Sequence, residues 1–193
     1  MKKLLATLAI IFSAVQTQAF QEGNINFLGG VGMFGSRGLI GFSGDRFLSE
    51  NHALSVAIGL DVIGADATVG YKYFSEKINS SDAIWDKCFF IFDCDAHFYA
   101  GGGVQYAGAT TVKISDSSSE REYKTDPKWL GLAMIGFRDI YKSGFTTDFE
   151  LSYRNIFTGG GAQQTAGPAA DDKKILETGY RSLGFNIAVG YLF

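Results

Sequence analysis

Residue character along most of this chain switches at every step. In His52 to Ile63, Leu54, Val56, Ile58, Leu60 and Val62 share one parity; Ala53, Ser55, Ala57, Gly59 and Asp61 share the other. Phe145 to Phe157 repeats the pattern, with Phe145, Phe149, Leu151, Tyr153 and Phe157 against Thr146, Asp148, Glu150, Ser152 and Arg154. Ala67 to Tyr73 sets Val69, Tyr71 and Tyr73 against Thr68, Gly70 and Lys72, with Asp66 just before on the polar parity. Phe98 to Tyr106 sets Phe98, Val104 and Tyr106 against Tyr99, Gly101, Gly103 and Gln105. The final segment, Ser182 to Phe193, opposes Phe185, Ile187, Val189, Tyr191 and Phe193 to Ser182, Gly184, Asn186, Ala188 and Gly190. A period of two predicts β-strands whose two faces meet different surroundings. Glycines blur the parity of three weaker strands, Ile25 to Phe34, Leu39 to Phe47 and Trp129 to Ile140.

These segments make about eight strands, each near the ~10-residue length of a membrane-spanning strand. The large apolar residues on one parity face small and charged ones on the other, the reverse of a soluble strand with its charges outside. An even number of antiparallel strands, apolar outside and polar within, describes a closed barrel, which leaves no sheet edge exposed. The expected fold class is all-β, an eight-stranded antiparallel up-and-down transmembrane β-barrel.

Composition narrows the reading further. Residues 1–19, MKKLLATLAIIFSAVQTQA, have a charged start at Lys2 and Lys3, an apolar run from Leu4 to Val15 and a small-residue cleavage site at Thr17-Gln18-Ala19. That is the anatomy of a secretory signal peptide, and the apolar run is shorter than the ~20 residues a spanning helix needs. Residues 20–193 form a single domain. After cleavage 15 basic residues face 20 acidic ones, a net charge of −5, which argues against nucleic acid as a partner.

A last strand of alternating hydrophobics closing on an aromatic, Phe185, Ile187, Val189, Tyr191 and Phe193, resembles the assembly signal of bacterial outer-membrane barrel proteins. By size the chain resembles the small eight-stranded group that includes the OmpA transmembrane domain and OmpX. The resemblance implies residence in the cell outer membrane of a Gram-negative-type bacterium, contact with outer-membrane lipid, and insertion by the barrel-assembly machinery, which reads the terminal aromatic. With a periplasmic C-terminus, Thr158 to Thr178 and Ser115 to Lys128 become external loops and Asp139 to Gly144 a periplasmic turn. The links at Ser36-Arg37 and Gly64-Ala65 become short external connections, and Ser75 to Asp95 a long periplasmic excursion.

By parity Asp61, Asp66, Lys72, Gln105, Asp148, Glu150, Arg154 and Asn186 point inward. They form either a selective pore or a polar network that fills the barrel. An eight-stranded barrel is just wide enough to be packed by its own side chains, and mixed charge favours mutual pairing, so a filled lumen is expected. Gly30 to Gly35, GVGMFG, matches a dinucleotide-binding glycine pattern but leads into another strand instead of a helix. Those glycines are read as points where strands bend and pack closely. His52 and His97 are the only histidines, and both are expected at the periplasmic rim.

Cys88 and Cys94 bracket Phe89-Phe90-Ile91-Phe92-Asp93, and oxidising export predicts a disulfide. Six steps of extended chain span about 20 Å, whereas a disulfide tolerates a Cα separation of up to about 7 Å. A bond here therefore excludes one continuous strand through both cysteines. The functional expectation is a monomeric, non-enzymatic protein without cofactor or metal, structural or adhesive through its outer loops and a possible extracellular partner. The alternatives are a lipid A or phospholipid-modifying outer-membrane enzyme and a narrow channel for small or hydrophobic solutes.

Overall fold

The computed structural model describes residues 21–61, 64–76, 87–88, 92–115, 120–159, 161–168 and 182–193, with the side chains of 87–88 and 92–94 left aside. The N-terminal 19 residues read as a signal peptide lie outside this set. The strands are β1 Ile25–Met33, β2 Ile40–Phe47, β3 His52–Asp61, β4 Gly64–Phe74, β5 Lys87–Cys88, β6 Phe92–Ala107, β7 Thr110–Ser115, β8 Glu120–Thr125, β9 Lys128–Tyr141, β10 Phe145–Gly159, β11 Ala162–Ala166 and β12 Ser182–Leu192.

Eight of them form a closed antiparallel ring. The order is β4-β3-β2-β1-β12-β10-β9-β6, and β6 pairs back onto β4. The first and last strands meet directly, with Asn26 opposite Leu192 and Met33 opposite Phe185. Each barrel strand therefore has a hydrogen-bonded neighbour on both sides, with one irregularity between β10 and β9 at Ile156 to Thr158, and no barrel edge is left open.

The two ends differ. The end where β1 begins and β12 finishes, the terminus-bearing end of the described residues, has the tight links Leu48–Asn51 and Lys142–Gly144, the second closed by Gly144 at φ +85°. β9 continues to Tyr141, so the turn expected from Asp139 is shorter than read from sequence. The opposite end carries the links that hold β7, β8 and β11, which assemble into a separate three-stranded sheet. Ser115 to Lys128, expected as an external loop, is strand over most of its described residues. Tyr123 and Ala162 are buried there against Val112 and Ile114, and this small apolar seam orders the segment. Thr158 to Thr178 likewise contains the end of β10 and all of β11, while residues 169–181 lie outside the described set.

Parity sorts the two faces as read from sequence. Val56 is 53% exposed and its neighbour Ser55 only 5%. Inward glycines make room for large inner side chains: a Cβ at Gly136 would collide with the Tyr99 ring, and one at Gly101 would crowd Lys72. Phe47, Phe74, Tyr99, Ile140 and Leu192 pack with Ala53 into an apolar floor at the end carrying the termini.

Gly136→Val should destabilise the barrel by about 1–3 kcal/mol through overpacking against Tyr99 and the Phe149 carbonyl. Urea unfolding in detergent micelles checks this, and a variant as stable as the parent would contradict the fit of Tyr99 into that gap.

Candidate functional site

The residues that parity turns inward converge above the apolar floor. Asp148 on β10 accepts from Arg138 Nε at 3.0 Å and from Arg37 Nη2 at 2.7 Å. Arg138 Nη2 also donates to Asp45 Oδ2 at 2.6 Å, and Lys72 Nζ lies 3.3 Å from the same oxygen and 3.6 Å from Glu150 Oε2. The Tyr99 hydroxyl is 3.3 Å from both Asp148 and Glu150. Three cations thus face three carboxylates, all with side chains at most 1% exposed. The cations also rest on the floor: Arg138 lies 5.1 Å from the Phe74 ring centroid and Lys72 4.9 Å from that of Tyr99. Such stacking suits a guanidinium held out of water.

Nearer the opposite end a second group gathers. Arg154 Nη1 donates to Asp61 Oδ2 at 2.8 Å and its guanidinium covers the Phe34 ring at 4.7 Å. Asp66 and Gln105 are buried beside them. All eight residues read from sequence as lumen-facing therefore lie inside the barrel, Lys72, Asp148 and Glu150 in the lower cluster and Asp61, Asp66, Gln105 and Arg154 above. Asn186 sits between them. In the amide orientation that matches donors with acceptors, it accepts from Ser36 N–H at 3.1 Å and donates to the Gly38 carbonyl at 3.2 Å.

Sequence reasoning missed Arg37, Asp45 and Arg138. Arg37 is the largest correction. The link at Ser36-Arg37, expected as a short external connection, instead folds down with its neighbours into the mouth of the barrel. Ser36 Oγ donates to Glu150 Oε1 at 2.6 Å, and the Ser36 carbonyl accepts from Thr68 Oγ1 at 3.1 Å. Gln105 Nε2 donates to the Gly35 carbonyl at 3.3 Å, and Arg37 Nε donates to Ser43 Oγ at 2.8 Å. Phe34 at φ +55° and Gly38 at φ +64° turn the chain inward. A notch of inward glycines receives it: a Cβ at Gly41 or Gly59 would strike the Arg37 carbonyl, and one at Gly184 the Phe34 carbonyl. That cluster, with an arginine set among Gly35, Ser36 and Gly38, is the signal that could have found the latch.

The remaining candidates are dispersed. His52 opens β3 on the outer face, hydrogen-bonded through Nδ1 to the Tyr71 hydroxyl. His97 is buried on the inner face, its Nδ1 donating to the Ser75 carbonyl at 3.0 Å. Both lie at the end carrying the termini, on opposite sides of the wall. The backbone of Cys88 on β5 pairs with Phe92 on β6, so the chain reverses between them and no single strand runs through both cysteines. The side chains of Cys88 and Cys94, and with them the expected disulfide, lie outside the described residues. The terminal aromatics line up on the outer face, Phe193 against Tyr191 at 5.0 Å between ring centroids. Among the described residues no group of three His, Cys, Asp or Glu side chains is placed to hold a metal ion.

Comparison with known proteins yields a match of fold. A crystal structure of the N-terminal β-barrel domain of Pseudomonas aeruginosa OprF aligns with a TM-score of 0.53 at 11% identity, covering 90% of this chain and 100% of that one. The two share a closed eight-stranded, OmpA-like barrel. At that identity the likeness concerns the fold alone. No family model matches the chain, and no curated protein matches it by sequence.

Arg138→Ala should cost about 3–5 kcal/mol, because it strips a partner from two buried carboxylates, Asp45 and Asp148. Lys113→Ala removes an exposed partner of Glu120 and Glu122 on the outer sheet and should cost less than about 1 kcal/mol. Equal losses in denaturant unfolding would contradict the buried network.

Proposed function

We propose that the chain is an integral outer-membrane β-barrel protein, exported by its N-terminal signal and non-enzymatic. Its role is structural or adhesive, carried by the end opposite the termini. The observation that carries this reading is the inversion of the barrel. Phe27, Phe42, Val56, Ile58, Val69, Ile135, Leu151 and Ile187 are all at least 45% exposed on the outside, while arginines and carboxylates are sealed within. In water that outer surface would be a continuous apolar patch around the molecule, which soluble monomers avoid. In a bilayer it is the required surface, with the backbone satisfied by closure.

We orient the barrel by the end where β12 finishes: that end, with the turns Leu48–Asn51 and Lys142–Gly144 and the longer β4-to-β6 connection, is periplasmic, and the β7-β8-β11 sheet then projects outward. Tyr106 and Trp129, in ring contact at 5.0 Å, mark the outer rim; Tyr71, Tyr73, Tyr141 and Tyr191 mark the inner one. The outward sheet, with its charged strands β7 and β8, is the surface available to an extracellular partner.

A channel is the weaker reading, because the apolar floor and the latch each obstruct the lumen. Planar-bilayer recordings should show no sustained conductance for the parent. The histidines give catalysis little support, since His52 and His97 lie on opposite faces of the wall and form no joint site.

The decisive test is heat-modifiable gel migration of the membrane fraction together with vesicle insertion. Within that assay Val56→Lys should lower stability by about 2–4 kcal/mol if Val56 lies near the bilayer midplane, and Ser55→Lys, which enters the polar interior, should cost less. Equal penalties would break the assignment of faces. Deleting Phe193 should reduce the amount assembled in the outer membrane without blocking export; unchanged levels would remove its role as an assembly signal.

A further inference from the structure

Among the described residues of the barrel strands, the outward-pointing side chains are apolar, small or uncharged polar, with three ionisable exceptions: Arg46, His52 and Asp139. All three lie at the end that carries the termini. Asp139 is only 8% exposed and takes a hydrogen bond from Thr147 Oγ1 at 3.2 Å. Arg46 is different. It is exposed, forms no ion pair among the described residues, and stands between Ile25 on β1 and Leu54 on β3.

A guanidinium on an apolar wall is tolerated in a bilayer when its stem lies along the hydrocarbon and its head reaches the interface. Arg46 is placed for that, since β2 ends one residue later at Phe47. His52 is its diagonal neighbour: Arg46 faces Leu54, and His52 lies two residues before Leu54 on β3. The His52 ring is held by the Nδ1 bond to the Tyr71 hydroxyl and by the edge-on Tyr73 ring at 5.1 Å. Its second nitrogen, Nε2, is the atom left to address a ligand.

We infer that Arg46 and His52, framed by Tyr71 and Tyr73, bind the phosphodiester headgroup of a phospholipid in the leaflet at the terminus-bearing end. This rests on the outer-membrane reading. The chemistry that selects the occupant is charge and surroundings together. A guanidinium offers paired N–H donors matched to a phosphate, and it stacks no carboxylate against itself here. Ile25 and Leu54 beside it, and Phe27 and Val56 one row deeper along the wall, supply apolar contact for acyl chains, which a free anion or a polar peptide would not use.

The test uses the folded, full mature chain in octyl glucoside, a detergent without phosphate. Native mass spectrometry measures binding of phosphatidylglycerol, of diacylglycerol with the same acyl chains, and of inorganic phosphate. Phosphatidylglycerol should bind the parent at least about tenfold more tightly than diacylglycerol, a difference expected of charge-assisted hydrogen bonds. Arg46→Gln should abolish that preference, Arg46→Lys should keep part of it, and His52→Gln should reduce it, with heat-modifiable migration confirming that each variant is folded. A preference unchanged in Arg46→Gln, or equal binding of diacylglycerol, would overturn the site. Inorganic phosphate competing at the same concentration as the lipid would mean an adventitious ion only. Protease protection in phosphatidylcholine vesicles separates the two readings. A barrel that inserts without a phosphate preference loses the headgroup site alone, and one that does not insert loses both.

Discussion

A carboxylate without water is stable only beside cations and donors, and in this barrel that demand is concentrated on Asp148. It receives Arg138 from β9, Arg37 from the inward link and the Tyr99 hydroxyl from β6. Through Arg138 it is joined to Asp45 on β2, and through Asp45 to Lys72 on β4. Five strands and one loop are thereby tied to a balanced set of three cations and three anions. Each ion loses several kcal/mol of solvation on burial, and only mutual pairing with additional hydrogen bonds offsets that loss. Removing any one charge leaves its partners stranded, which makes the network a strict constraint on every wall around it.

Volume imposes the second constraint. Eight strands enclose space for side chains and little else. Tyr99 and Lys72 fit because Gly136 and Gly101 stand beside them, and the inward link fits because Gly41, Gly59 and Gly184 leave a notch. Large and small inner residues are therefore coupled across strands that are distant in sequence. The same economy explains the apolar floor: Phe47, Phe74, Ile140 and Leu192 close the end where charges would otherwise need partners from solvent.

The lower cluster pairs its charges with one another, so the surfaces that meet other molecules are the outer wall and the two rims. The wall matches hydrocarbon, the outward sheet presents polar strands, and Arg46 with His52 breaks the apolar surface at the end of β2 and the start of β3. On the proposed reading the barrel is a rigid support for what its two ends display.

The alternation of residues was enough to read the class, the eight barrel strands and the faces of β3, β4, β10 and β12. A period of two is a local property, enforced by the pleat on each strand separately. The eight charged and amide residues assigned to the interior followed from the same rule. It failed on β9, where Leu130, Leu132 and Met134 point inward while Gly131 and Ala133 point outward, so hydrophobicity no longer marks the outer face. Arg138 went unread for that reason. On β2, Asp45 and Arg46 are adjacent charges on opposite faces, and sequence alone did not say which one was buried. The folding of Arg37 into the lumen, and the ordering of β7, β8 and β11 around Tyr123, were decided only by tertiary structure. Both depend on surfaces assembled from remote segments: a carboxylate 111 residues away for Arg37, and an alanine on β11 for Tyr123. No local pattern encodes a partner that the chain meets only after the barrel has closed.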